Sequence, residues 1–187
     1  MRSSLTLATL LAVFSWLGPA NSQVNTTGKP EASMGTRIPV TPVLIKDGDT
    51  VQVREFVHDI RLASIDSPEL GHGRYKPGQA YAQVSRKALV DLLRSGRRIE
   101  ALCYERDKYQ RMVCDLYAEN QSVNSALVAS GMAWANQAAG GRYLRDKKLL
   151  ALQAQARARG DGLWAGKTPI EPWVWRDVCW KDGRCVE

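Results

Sequence analysis

After its first twenty or so residues the chain has no hydrophobic run long enough to cross a membrane, so no spanning segment is expected there. Its four cysteines form no Cys-x-x-Cys pair, which argues against the usual zinc-binding spacings. No internal repeat or low-complexity run is present, which excludes a repeat array. At 187 residues the sequence fits one compact domain with a tail at each end.

The start differs from the rest. Met1-Arg2 is a positive beginning, Leu5 to Leu17 is apolar, and small residues follow at Gly18-Pro19-Ala20-Asn21-Ser22. This predicts a secretory signal peptide over residues 1–22, because the apolar run is shorter than the ~20 residues of a spanning helix. Residues 23–36 are rich in Asn, Thr, Gly and Pro and read as a flexible leader. Four cysteines in an exported chain are most simply two disulfides. Cys103 and Cys114 stand symmetrically about Lys108-Tyr109, and Cys179 and Cys185 about Asp182, so these pairings are expected. The net charge of +7 is compatible with a polyanionic partner. Sequons at Asn25 and Asn120 matter only where the source glycosylates exported proteins.

Strand patterns cover Ile38–Ile45, Thr50–Val57, Asp59–Ile65, Arg97–Tyr104 and Met112–Ala118. Helical periodicity covers Gln79–Arg94, with Ala80, Val84, Ala88, Leu89, Leu92 and Leu93 inward and Gly96 as its stop. Further helices are expected over Ser122–Ser130, with Ser122 as N-cap, and over Tyr143–Arg159. Five strands with a helix after the third suit a small closed sheet, so the expected fold is α+β: a five-stranded oligonucleotide-binding (OB-fold) barrel flanked by three helices. The domain is expected over residues 37–165, with a Trp- and Pro-rich tail over 166–187 wrapping along the outside.

Three separated segments concentrate acids and arginines: Asp47-Gly48-Asp49-Thr50, Arg61 through Asp66-Ser67-Pro68-Glu69, and Asp107-Lys108-Tyr109-Gln110-Arg111. Carboxylates suit a hard divalent cation, and guanidinium suits bidentate contact with phosphate. Together they can stabilise a phosphorus centre gaining negative charge.

In order and spacing these motifs resemble the thermonuclease, or staphylococcal-nuclease-like, family over roughly Thr36 to Trp164. Val123-Asn124, Ala126-Leu127-Val128, Gly131 and Gly162-Leu163-Trp164 add to the likeness. The resemblance implies an exported, calcium-dependent nuclease cutting phosphodiesters of single-stranded DNA or RNA as a monomer, secreted or periplasmic once the signal is removed. Asp49 and Asp66 resemble its calcium ligands, with the Ser67 carbonyl as a third. Glu69 resembles the general base, Arg61 and Arg111 the arginines on the scissile phosphate, and Lys108 and Tyr109 the contacts to a terminal phosphate. Asp47 would stand behind the metal ligands.

Two features depart from the family pattern. Aromatic residues common after the second helix are replaced by Asn136-Gln137-Ala138-Ala139, leaving Trp134, which reads as core, and Tyr143 as a further stacking candidate. Gln110 stands where glycine is common, which asks for a different turn conformation. The loop carrying His72, Arg74, Tyr75 and Lys76 is another candidate for substrate contact, while His58 and His72 read as surface residues. Two other readings compete: a silent nucleic-acid-binding OB-fold module, and an extracellular domain that uses calcium only for stability.

Overall fold

The computed structural model describes residues 34–95, 98–166 and 168–185. The signal peptide, most of the leader with Asn25, and the stop at Gly96 lie outside the described residues.

The first expected strand is two. Strands β1 (Arg37–Pro39) and β2 (Pro42–Ile45) are separated by Val40 and Thr41. Strand β3 (Thr50–Val53) is followed by β4 (Ile60–Leu62) and the two-residue β5 (Ile65–Asp66). Helix α1 spans Ala82–Ser95, and the long strands β6 (Ile99–Arg106) and β7 (Met112–Ala118) come next. Strand β8 (Gln121–Ser122), helix α2 (Val123–Ala129), strand β9 (Trp134–Ala135) and the irregular turn α3 (Ala138–Gly141) lead to helix α4 (Lys148–Arg159). A 3-10 turn (Gly162–Ala165), helix α5 (Pro172–Trp175) and a π-helical turn (Arg176–Lys181) complete the chain.

The main sheet runs β1-β6-β7-β4-β3-β2, with β8 added to β7. Its two ends are chain neighbours. The Val40 N–H donates to the Ile99 carbonyl, and the Thr41 carbonyl accepts from Arg54 N–H, each at 2.9 Å. One bent strand thus serves both ends of the path, in the manner of the expected OB-fold. Local pattern alone could not mark the bend, because both residues at it remain extended-compatible.

Alternation along β7 buries Met112, Cys114, Leu116 and Ala118 on one face. Val51, Val53, Ile60, Leu62 and Ile65 join them, and Leu89, Leu127 and Leu149 close the core from the helices. Cys103 and Cys114 face each other directly in the β6–β7 register and are disulfide-bonded, as are Cys179 and Cys185. Helix α1 starts at Ala82 and buries Ala82, Ser85, Leu89 and Leu93, whereas Ala80 and Val84 are exposed. The expected stripe therefore holds at Ala88, Leu89, Leu92 and Leu93, but in the first turns Ser85, a polar residue, takes the interior place expected for Val84. Its hydroxyl donates to the Met132 carbonyl at 2.6 Å. Helix α4 begins only at Lys148, since the preceding segment is tied down by Ser64, whose hydroxyl accepts from the N–H groups of Arg145 and Asp146.

Ser122 caps α2 by accepting from Ser125 N–H, as expected. Next to it, buried Asn124 stitches three pieces together. Its amide donates to the Ala63 carbonyl and Asp115, while its oxygen accepts from Leu116 N–H. Asn124→Ala strands the Ala63 carbonyl just past β4 and the Leu116 N–H and Asp115 partners on β7, and should lower unfolding free energy by about 3 kcal/mol in urea denaturation. A loss below about 0.5 kcal/mol would contradict that role.

Candidate active site

The Asp47–Thr50 turn is built against α1. A Cβ placed on Gly48 would come 2.2 Å from Ser85 Oγ and 2.8 Å from Ser67 Cβ, so only glycine fits that approach. Asp47 holds the turn by accepting from Asp49 N–H at 3.0 Å. Pairing of β3 with β4 sets Thr50 opposite Arg61, which brings Arg61 beside Asp49. The Leu62 N–H donates to the Asp49 carbonyl, locking that register.

After β4 the chain reverses at Ser64, whose φ of 63° lies in the left-handed region. Strand β5 then pairs with β9, Asp66 opposite Trp134, so Asp66 enters the interior with its side chain only 1% exposed. The Ser67 N–H donates to Asp49 Oδ2 at 2.7 Å, joining the first and second motifs directly.

Arg61 spans the two acids. Its Nη2 lies 2.6 Å from Asp66 Oδ1, and its Nη1 lies 2.5 Å from Asp49 Oδ2. The guanidinium is thus ion-paired to both acids, one through each terminal nitrogen. Burial pushes the Asp49 carboxyl up to about 6 despite the opposing pull of Arg61. Burial works against the Arg61 charge, but Asp49 and Asp66 hold its net shift upward.

Glu69 stands at the rim, its backbone N–H donating to Gln79 Oε1 and its carbonyl accepting from Gln79 N–H. Its side chain is 17% exposed, and burial raises its pKa while Arg176 pulls it back. Arg176 was not anticipated. It comes from the tail that was expected to wrap the outside, and it forks onto Asp66 through Nη2 at 2.7 Å and Nη1 at 3.2 Å. The same Nη1 also donates to Glu69 Oε1. No local pattern marks this residue; the only signal was an arginine directly after the Pro172-Trp173-Val174-Trp175 run.

The third motif sits at the β6–β7 turn. Arg111 pairs with Asp107 at 2.6 Å, and among the described residues no hydrogen bond or ion pair joins it to Asp49, Asp66 or Glu69. Its neighbour Met112 donates N–H to the Asp59 carbonyl, which places the turn beside the start of β4. Lys108 lies 5.0 Å over the ring of Tyr109, which is 66% exposed. Gln110 keeps a glycine-like backbone with φ of 67°, in place of the different turn expected for it. That conformation costs a non-glycine residue about 1 kcal/mol.

Asp49, Asp66 and Glu69 with Arg61 and Arg176 therefore form one cluster. Trp134 is core, buried edge-on against Trp164 with centroids 4.4 Å apart, as expected. His72 lies edge-on to Trp180 at the surface.

The donors are all oxygens of the kind a hard cation takes, and Asp66 and Asp49 are already gathered on one guanidinium. On this chemistry the residues suit a hard divalent cation. Among the described residues no group of three or more His, Cys, Asp or Glu forms a metal cluster, which leaves the carboxylate pair and a backbone carbonyl as the candidate ligands.

A family model described as staphylococcal nuclease homologue matches residues 59–166, more than half of the chain. A Haemophilus influenzae protein described as an uncharacterized endonuclease is 34% identical over 170 residues, covering 91% of this chain and 83% of that protein. Another so described, from Escherichia coli O157:H7, is 35% identical, covering 72% of this chain and 82% of its own length. A probable staphylococcal-like nuclease of Oryza sativa subsp. japonica is 32% identical, covering 68% of this chain and 31% of the rice protein. With the acids and arginines of the sequence motifs set on this α+β frame, the chain belongs to the staphylococcal nuclease family.

Proposed function

We propose that this nuclease is exported, depends on calcium, and cuts phosphodiester bonds of single-stranded DNA or RNA as a monomer. The observation that carries the reading is the Arg61 fork, which gathers Asp49 and Asp66 on one guanidinium. Asp49, Asp66 and the Ser67 carbonyl would hold the ion. A calcium ion held there would supply positive charge to offset that of the phosphate.

The remaining work falls to the chain itself. Glu69 takes the proton from the attacking water at a carboxylate oxygen, and its upward-shifted pKa makes it the stronger base. Arg61 and Arg111 offset charge growing on the equatorial phosphate oxygens, Arg111 from the turn beside β4. Lys108 and Tyr109, both on that exposed turn, take a terminal phosphate. Export is supported by the two disulfides, and no helix among the described residues is long and apolar enough to cross a membrane.

The test is cleavage of single-stranded DNA and RNA by the mature protein, with calcium or with a chelator. Cleavage that survives chelation would remove calcium from the reading. Calcium binding without cleavage would favour a structural domain, and nucleic-acid binding without cleavage a silent module. A separate readout is thermal. Calcium at a hundredfold excess over its Kd should stabilise the fold by about 2.7 kcal/mol, seen as a rise in Tm, and Asp49→Asn should abolish the rise.

A further inference from the structure

The C-terminal segment lies beyond the family match at residue 166, yet it reaches the centre of the cluster. It is fastened there at several points. The indole N–H groups of Trp175 and Trp180 both donate to the Pro77 carbonyl, at 3.1 and 2.9 Å. Gln79 donates to the Ile170 carbonyl while its oxygen accepts from Glu69 N–H, so one side chain couples the segment to the Glu69 backbone. The Cys179–Cys185 disulfide closes the π-helical turn that begins with Arg176.

The guanidinium so delivered does something that Arg61 does not. Asp66 and Glu69 are like charges three residues apart, and burial makes their repulsion stronger. Arg176 Nη1 is shared between Asp66 Oδ1 and Glu69 Oε1, and Nη2 completes the fork on Asp66. A planar, permanently charged fork fixes both the distance and the orientation between its acceptors. We propose that Arg176 is a positioning residue of the nuclease site, which sets the Glu69 carboxylate relative to Asp66 from a segment outside the family domain. This inference rests on the nuclease reading above and on Glu69 as its base.

The experiment compares wild type, Arg176→Ala, Arg176→Lys, Glu69→Gln and the Glu69→Gln/Arg176→Ala double variant. Steady-state and single-turnover cleavage of single-stranded DNA are measured at saturating calcium, with Tm and calorimetric calcium affinity for each protein. Arg176→Ala is expected to lower kcat about 100-fold, the scale of a base displaced by about 1 Å, with KM little changed. Arg176→Lys should recover part of that loss, since it keeps the charge but not the fork. In the Glu69→Gln background the Arg176→Ala change should cost less than about threefold, because the residue acts through Glu69. A merely structural arginine would cost the same in both backgrounds.

Equal losses in both backgrounds, or unchanged kcat in Arg176→Ala, would overturn the proposal while leaving the nuclease reading intact. So would a faster enzyme with tighter calcium binding, which would make Arg176 a plug on the metal ligands. Should Arg176→Ala fail to fold, Arg176→Lys and its double variant with Glu69→Gln carry the same comparison. A wild type that cuts no nucleic acid would sink both readings.

Discussion

Glu69→Gln is expected to lower kcat by about 10³-fold, within the range for loss of a general base, while KM changes little. Glutamine keeps the size of the side chain and one oxygen for Arg176, but it cannot take a proton at neutral pH. The contact lies at the rim of the cluster, so folding should be preserved, and an unchanged Tm would make the loss a statement about chemistry. The pH profile gives a second check. A base must be deprotonated to act, so activity falls as pH drops through its pKa. Burial raises that pKa, which puts the acid limb above the ordinary glutamate value. The limb should vanish in Glu69→Gln. A variant within about threefold of wild-type kcat would take Glu69 out of the mechanism.

Arg61→Ala should damage folding and catalysis together. Removing the guanidinium leaves Asp49 and Asp66 buried, with side-chain exposures of 6% and 1%, and takes away the cation that bridges them. Loss of one partner of a buried ion pair costs about 3–5 kcal/mol. Arg176 stays on Asp66, so the lower end of that range is expected from urea denaturation without calcium. Added calcium should restore part of the stability, because it would neutralise the same two acids. Catalysis should fall by about 10²–10³-fold even then, the usual result of removing one donor to a developing oxyanion. Arg61→Lys separates the two effects: it keeps the charge, and so most of the stability, but loses the fork and with it most of the rate. Full activity in either variant would remove Arg61 from the phosphate.

The parts of this molecule that could be read from sequence are those whose partners are local or whose geometry repeats. Cys103 and Cys114 flank a turn, so their pairing followed from symmetry. The alternation of β7 announced its buried face, and Ser122 announced the start of α2. Asp49, Arg61 and Asp66 could be grouped only through motif order, yet the fold does bring them within one guanidinium of each other. Arg111 belongs to the same motif set, but its side chain is held by Asp107 four residues away. The inward stripe of α1 held at Ala88, Leu89, Leu92 and Leu93 but missed Ser85, which is polar and whose burial depends on the Met132 carbonyl, 47 residues distant. Arg176 was invisible for a similar reason. Its carboxylate partners lie 107 and 110 residues earlier, and an arginine beside tryptophans reads equally well as surface.

The bend at Val40 and Thr41 has a bearing on solubility. With β1 bonded to β6 and β2 bonded to β3, a single run of backbone keeps two strand edges covered at once. Unpaired edges are templates for another chain, and small sheets usually guard them with charges, prolines or bulges. Here a proline stands on either side of the bend, at Pro39 and Pro42, and the β2–β3 register shifts between Pro42 and Leu44. The two terminal strands of the path are thus short and each carries a proline, two of the devices that keep an edge from templating another chain.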